Sequence, residues 1–101
     1  MKRISLIVLL LLVGCFSPIV DVTSDAQSFM DENSIVVKSG KVFHNDVMIG
    51  KFILSKEELE ESGRAQTTKL EFWKDENLFM RVTDSDGTTE EFNWNGERFV
   101  R

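Results

Sequence analysis

The sequence predicts a small, mainly β domain: an antiparallel meander, closed as a sandwich or small barrel, with one short helix near residues 56–62. The chain has 101 residues, which is room for one small domain. From residue 34 onward, short segments rich in β-branched and aromatic residues alternate with Gly, Asn and Asp turn signals. One segment, residues 55–63, carries helix-capping signals at both ends.

The short helix is defined by the residues at its two ends. Ser55 is a good N-cap and Glu58 follows three residues later, which is the spacing of a capping box. Leu54 and Leu59 flank the cap and predict a hydrophobic staple, and Gly63 supplies the left-handed residue that ends the helix. Two turns with so few apolar residues are not stable alone, so we expect Leu54 and Leu59 to rest on the sheet.

Two hairpins are predicted ahead of this helix. Ser39-Gly40 and Asn45-Asp46 are turn signals that separate three apolar segments between residues 35 and 54. Gly50 interrupts the third segment and is a candidate bulge. Apolar residues occur at successive positions here, so the sequence leaves the register of these hairpins open.

The C-terminal third predicts three long strands and one short one. These are Thr67–Lys74, Leu78–Asp84, Thr88–Trp94 and Phe99-Val100. Three-residue loops ending at Asn77 and Gly87, each with its last residue in the left-handed region, fit the type I turn plus bulge. Asn95-Gly96 is predicted as a two-residue turn that sets Phe92 opposite Phe99.

This register places the apolar side chains on one face. A two-residue loop at Asp86-Gly87 would instead set Met80 opposite Asn93, and such a slip is strongly disfavoured when one face is buried. The predicted apolar pairs are Leu70 with Val82, Phe72 with Met80, Met80 with Phe92, and Leu78 with Trp94.

The opposite face carries the candidate binding residues Trp73, Phe79 and Arg81. Trp73 is predicted to pair with Phe79, and Arg81 with Glu71 and Glu91. We expect the N-terminal hairpin to fold over the aromatic pair, because small β domains usually close into two layers. The alternative leaves the pair exposed with a charged rim, which is the pattern of a binding hot spot.

The first 15 residues resemble the signal of a bacterial lipoprotein. A basic start is followed by an apolar run that is too short to span a membrane, and Leu12-Val13-Gly14-Cys15 resembles a lipobox. The resemblance implies cleavage before Cys15, diacylglycerol on its thiol and acylation of the new amino terminus. Two or three acyl chains give stable anchoring. The alternative is an ordinary secretory signal with an incidental cysteine.

These features divide the chain into three parts. Residues 1–14 are the predicted signal peptide, 15–33 the lipidated Cys and a flexible tether, and 34–101 the β-rich domain. The tether is polar with isolated apolar residues, although a short helix around 25–31 is an alternative there. Phe16 follows the cysteine where an Asp would resemble an inner-membrane retention signal, so we expect the outer membrane in a two-membrane cell.

Charge narrows the class of partner. Loss of Lys2 and Arg3 with the signal leaves 10 of the 12 basic side chains against 17 acidic ones, a formal charge of −7. This balance argues against nucleic acid and against anionic membrane surfaces as partners, and leaves a basic protein as a weak expectation. Apart from the lipid anchor we therefore expect a protein partner, or self-association, because so small a domain is marginally stable.

No cofactor, metal site or catalytic group is expected. Asp84-Ser85-Asp86-Gly87 lacks the carboxylates that a calcium loop needs at its first and twelfth positions. His44 is the only histidine and has no second ligand at a metal-binding spacing. The glutamates of residues 57–61 are the solvated face of a short helix.

Two functions remain. The first is a membrane-anchored envelope lipoprotein that acts as a non-catalytic binding or assembly module. The second is a lipid-anchored inhibitor or immunity factor against a toxic protein or cell-wall hydrolase.

Overall fold

The computed structural model describes residues 18–101, and the predicted signal peptide and Cys15 lie outside the described residues. The described chain is mainly β, with two meander-type sheets and two short helices, which confirms the predicted fold class. In chain order the elements are β1 (Ile19–Val22), α1 (Ser24–Glu32), β2 (Ile35–Lys38), β3 (Lys41–His44), β4 (Val47–Lys51), α2 (Lys56–Ser62), β5 (Thr67–Lys74), β6 (Leu78–Asp84), β7 (Thr89–Trp94) and β8 (Phe99–Val100).

The strands form a five-stranded and a three-stranded sheet. The larger has the order β1-β5-β6-β7-β8 and the smaller the order β2-β3-β4. All neighbours are antiparallel except β1, which runs parallel to β5 with Ile19 opposite Lys69. A parallel pair needs a long crossover, and here α1, the smaller sheet and α2 together supply it.

The expectation of a flexible tether through residue 33 is wrong for residues 19–32. They form β1 and α1, and Pro18 is already buried. The alternative of a short helix around residues 25–31 is confirmed by α1. The Thr23 hydroxyl caps α1 by accepting a hydrogen bond from the Ala26 N–H at 3.3 Å. Ala26 and Met30, one helical turn apart, are buried in the core. The packed part of the chain therefore includes residues that look tether-like in sequence.

The core lies on one face of the larger sheet. Its strands contribute the apolar face predicted from the sequence: the side chains from β5 and β6 are at most 2% exposed, and Phe92, Trp94 and Phe99 are partly buried against them. Helix α1 and the inner face of the smaller sheet cover this layer. The buried residues are Ala26, Met30, Ile35, Val42, Leu70, Phe72, Leu78, Met80 and Val82.

The register of β5, β6 and β7 agrees with the prediction. Leu70 lies opposite Val82, Phe72 opposite Met80, and Met80 opposite Phe92. Gly87 has φ +88°, as the bulge-type loop requires. Asn77 does not have a positive φ, so that detail of the other loop was wrong. That loop closes instead through the Asp75 N–H, which donates to the Asn77 carbonyl oxygen at 3.1 Å.

The predicted two-residue turn at Asn95-Gly96 is also wrong. Trp94 pairs with Phe99, which leaves a four-residue loop between them. The Asn95 carboxamide oxygen accepts from the backbone N–H groups of Glu97 and Arg98, each at 2.9 Å, and holds the longer loop closed. The Phe99 ring therefore packs against Trp94, with ring centroids 5.1 Å apart, instead of facing Phe92.

Both N-terminal hairpins turn at the predicted residues. Ser39 and Gly40 have φ of 52° and 71°, and Asn45 and Asp46 have φ of 52° and 67°, the signs that a type I′ turn needs. The predicted bulge lies next to Gly50. Val42 pairs with Gly50 and Phe43 with Met48, so one residue between these partners is unpaired.

The predicted capping box of α2 is present. Ser55 Oγ accepts from the Glu58 N–H, and Glu58 Oε1 accepts from the Ser55 N–H, both at 3.1 Å. Lys51 donates to the same carboxylate at 2.9 Å. This hydrogen bond and those from Ser55 lower the pKa of Glu58 to about 2.

The predicted apolar attachment of α2 is shallow. None of its residues is fully buried, and Leu54 and Leu59 are half-buried. It is attached by the Lys51–Glu58 ion pair at one side and by Gln66 at the other. The Gln66 carboxamide donates to the Leu54 carbonyl and accepts from the Leu54 N–H, each at 3.2 Å. Polar contacts thus attach the helix together with the half-buried Leu54 and Leu59.

Gly40 gives the strongest backbone prediction. It is buried with φ +71°, and an added Cβ would overlap the Ile53 side chain and lie 3.2 Å from Pro18 Cδ. We expect Gly40→Ala to lower the free energy of unfolding by about 2–4 kcal/mol, from the left-handed backbone and from overpacking. Urea unfolding measures this change.

Gly87→Ala is the matched control for this substitution. Gly87 also has a positive φ, but nothing lies within 4 Å of an added Cβ. Gly87→Ala should therefore lower the free energy of unfolding only through the strain of its left-handed backbone, by about 1–2 kcal/mol. Equal losses in the two variants would show that the contact of Gly40 with Ile53 and Pro18 is not close.

Candidate binding surface

Trp73 and Phe79 form the predicted cross-strand pair. They lie opposite each other on β5 and β6, with ring centroids 5.6 Å apart and ring planes 20° apart. Successive side chains of a strand point to opposite faces, and the neighbouring Phe72 is in the core. The stacked pair therefore stands on the face of the larger sheet that points away from the core.

The expectation that the N-terminal hairpin covers this pair is wrong. Ile35 and Val42 of the smaller sheet pack with Leu70 and Phe72, on the opposite face of the larger sheet. The second layer is thus built by the smaller sheet and α1 together, and one covered face is enough to form the core. Trp73 and Phe79 are only half-buried, by neighbours on their own face.

Arg81 is held against the aromatic pair. Its guanidinium lies 5.1 Å from the Trp73 ring centroid, within cation–π range. It donates to Glu91 Oε2 from Nε at 3.0 Å and from Nη2 at 2.7 Å, and Glu71 Oε1 lies 3.9 Å away. The hydrogen bond to Glu91 raises the pKa of Arg81 above its ordinary value, so the cation is permanent.

We call Trp73, Phe79 and Arg81, with the flanking Glu71 and Glu91, the aromatic surface. Two flat side chains and one hydrogen-bonded cation lie there on inner strands of the larger sheet. The arrangement is suited to binding.

A shallow hollow borders the aromatic surface at the edge strand β1. Asp21 and Thr23 line it together with Glu71, Trp73 and Arg81. Lys69 also lies on this face, 3.7 Å from Glu71. Three carboxylates, of Asp21, Glu71 and Glu91, therefore accompany two cations on this surface.

Asp21 and Thr23 are the site residues that sequence reasoning missed. They fell in the predicted tether, and only the parallel pairing of β1 with β5, Asp21 opposite Glu71, brings them to the surface. The sequence signal was weak: an alternating Ile19–Val22 segment followed by the Thr23 helix cap.

The polar residues that were considered as metal ligands or catalytic groups make contacts that stabilise the fold. Asp84 is buried and accepts from the Thr67 hydroxyl at 3.2 Å, and Asp86 accepts from the Thr88 N–H at 2.9 Å within the hairpin loop. The His44 ring packs edge-on against Trp94, with centroids 4.9 Å apart. Within residues 18–101, no group of three His, Cys, Asp or Glu side chains is placed to hold a metal ion.

The smaller sheet also exposes apolar side chains. Val36, Phe43 and Met48 pair across its three strands, and Val36 and Met48 are 53% and 48% exposed. This outer row was hidden in the sequence because the register of the hairpins was open. Lys38 and Lys41 lie on the same face of this sheet, so the charge beside this row is basic, whereas the aromatic surface is flanked by carboxylates.

Comparisons of the chain with protein-family models, with curated proteins and with solved structures find no match. In the described part of the chain, no helix has both the length and the apolar character needed to cross a membrane. The predicted lipid acceptor, Cys15, lies outside the described residues.

Proposed function

We propose that the protein is a lipid-anchored envelope module that binds a protein partner through the aromatic surface, without catalysis. The observation that carries the proposal is the stacked Trp73–Phe79 pair on a sheet face that no other element of residues 18–101 covers. The lipobox ending at Cys15 supports the anchor.

The composition of the aromatic surface supports binding. Trp and Arg are enriched among residues that carry most of the energy of protein interfaces. Trp73 and Phe79 offer a large apolar area, and Arg81 is oriented by Glu91 before any partner arrives. Little side-chain entropy is then lost on binding, which favours affinity.

Charge supports a basic partner. The full chain has a formal charge of −5, and carboxylates outnumber cations around the aromatic surface. Complementary charge mainly accelerates association and excludes wrong partners. The apolar pair supplies the affinity.

Photo-crosslinking tests the surface in cells. A photoreactive phenylalanine at Phe79 of the lipidated protein should give a protein adduct on illumination. The same group at Met48, which is 48% exposed on the smaller sheet, is the control and should give much less. Equal adducts from both positions, or none from Phe79, would contradict binding through this surface.

Labelling with radioactive palmitate tests the anchor. The wild type should incorporate label and fractionate with membranes, because diacylglycerol on Cys15 and an acylated amino terminus are both long-chain lipids. Cys15→Ala should incorporate none. In a two-membrane cell we expect the outer membrane fraction. Equal labelling of both proteins would overturn lipidation, and fractionation with the inner membrane would overturn the location.

The acidic charge also supports a second candidate, a lipid-anchored inhibitor or immunity factor. Many toxic proteins and cell-wall hydrolases act on anionic polymers and are basic, so a negatively charged binding surface fits them. A tight complex with a basic hydrolase that loses activity would favour this candidate. Co-purification with other envelope proteins would favour the assembly module.

A further inference from the structure

We propose that the anchor holds the domain directly against the bilayer, with the Ser39-Gly40 turn toward the lipid and the Trp73–Phe79 end of the larger sheet remote from it. The proposal rests on the lipidation of Cys15 proposed above. It specifies the orientation of the domain and the side from which a partner approaches.

The chain between the lipid and the domain is short. Pro18 is buried, and it lies at the Ser39-Gly40 turn, where its Cδ is 3.2 Å from the position of a Cβ on Gly40. Cys15 is three residues earlier in the sequence. Whatever its conformation, a segment of that length reaches at most about 10–11 Å. This end of the domain therefore lies within one short segment of the lipid.

The strands of the larger sheet carry the aromatic pair away from the anchored end. Strand β1 starts at Ile19 opposite Lys69 and runs parallel to β5. Trp73 lies four residues beyond Lys69 along the same strand, about 13 Å farther from the anchored end. Phe79 pairs with Trp73 and shares its distance. The aromatic pair is thus at the end of the sheet remote from Pro18.

The end of the domain near Pro18 and the aromatic surface differ in chemistry. Near the anchor, Ile19 is 67% exposed, and Lys38 and Lys41 pair across the turn with no ion pair to any carboxylate of residues 18–101. These groups suit a headgroup interface. The aromatic surface carries more carboxylates than cations, so lying flat on an anionic leaflet is unfavourable.

Helix α2 weakens the electrostatic attraction between the anchored end of the domain and an anionic membrane. Its carboxylates, of Glu57, Glu60 and Glu61, follow closely after Lys51, which pairs with Lys41 at the same turn. The charge near the anchored end is therefore mixed. Chain length, rather than charge, holds this end at the membrane.

Distance to the lipid can be measured with spin labels. Cys15 is the only cysteine, so in the lipidated protein an introduced cysteine is the single free thiol. Labels at Ser39→Cys and Glu76→Cys, both at exposed turn positions, mark the near and remote ends. The protein is placed in vesicles of phosphatidylethanolamine and phosphatidylglycerol with a nickel-chelating lipid. Nickel should enhance relaxation of the Ser39 label several-fold more than that of the Glu76 label.

The controls separate orientation from anchoring. Insertion of about 12 Gly and Ser residues before Pro18 should keep the protein on the vesicles but remove most of the difference between labels. Equal relaxation without the insertion, in protein that floats with the vesicles, would overturn the orientation and leave the anchor intact. Failure of the protein to float would overturn the anchoring itself, and the orientation with it.

Discussion

Phe72→Ala is expected to lower the free energy of unfolding by about 3–5 kcal/mol, the usual cost of truncating a buried aromatic side chain. Phe72 is 1% exposed and lies in the centre of the core, between the larger sheet and the elements that cover it. Its ring also makes an edge contact with Phe99 at a centroid distance of 5.9 Å. The cavity cannot collapse easily, because the sheet holds the backbone on both sides.

The next residue provides the matched comparison. Trp73→Ala removes a larger side chain from the same strand, but from the face that no element of residues 18–101 covers. It should cost only about 1–2 kcal/mol, from loss of the stack on Phe79 and the contact with Arg81. Urea unfolding of both variants measures the contrast. An equal loss from the two would mean that another layer covers the aromatic surface.

The register of β5, β6 and β7 was predictable because one rule determined it. Only three-residue loops kept Leu70, Phe72, Met80 and Val82 on a single face, and the structure has these pairs. The same alternation placed Trp73 against Phe79. Local turn chemistry was equally readable at Ser39-Gly40, where both residues have positive φ.

The segments that were wrongly predicted as a tether depend on contacts with residues distant in sequence. Strand β1 is stabilised by parallel pairing with β5, fifty residues later, and has no hairpin signal of its own. Helix α1 buries only Ala26 and Met30, too few to produce a sustained apolar period. Both segments therefore resembled a tether.

The sequence also could not predict which face of the larger sheet is covered by the smaller sheet. The smaller sheet carries apolar residues on both faces, with Ile35 inside and Val36 outside, so it could pack against either side of β5. Helix α1 decides the matter, because it follows β1 directly and packs on the Phe72 face together with the smaller sheet. Among residues 18–101, no element then covers the aromatic surface.

Loss of partner capture by Trp73→Ala is the second large effect that we expect. A central aromatic residue at an interface contributes at least about 2 kcal/mol, which corresponds to a roughly 30-fold increase in Kd. Trp73 has this position, between Phe79 on one side and Arg81 on the other. The variant should fold, because the core face of β5 is unchanged.

The decisive measurement is a pull-down from detergent-solubilised membranes with the lipidated wild type, Trp73→Ala and Phe43→Ala. Phe43 is a half-buried aromatic residue on the outer row of the smaller sheet, so its variant controls for loss of an aromatic side chain elsewhere. The proteins captured by the wild type should remain with Phe43→Ala and be lost with Trp73→Ala. Undiminished capture by a folded Trp73→Ala variant would contradict the aromatic surface as the binding site.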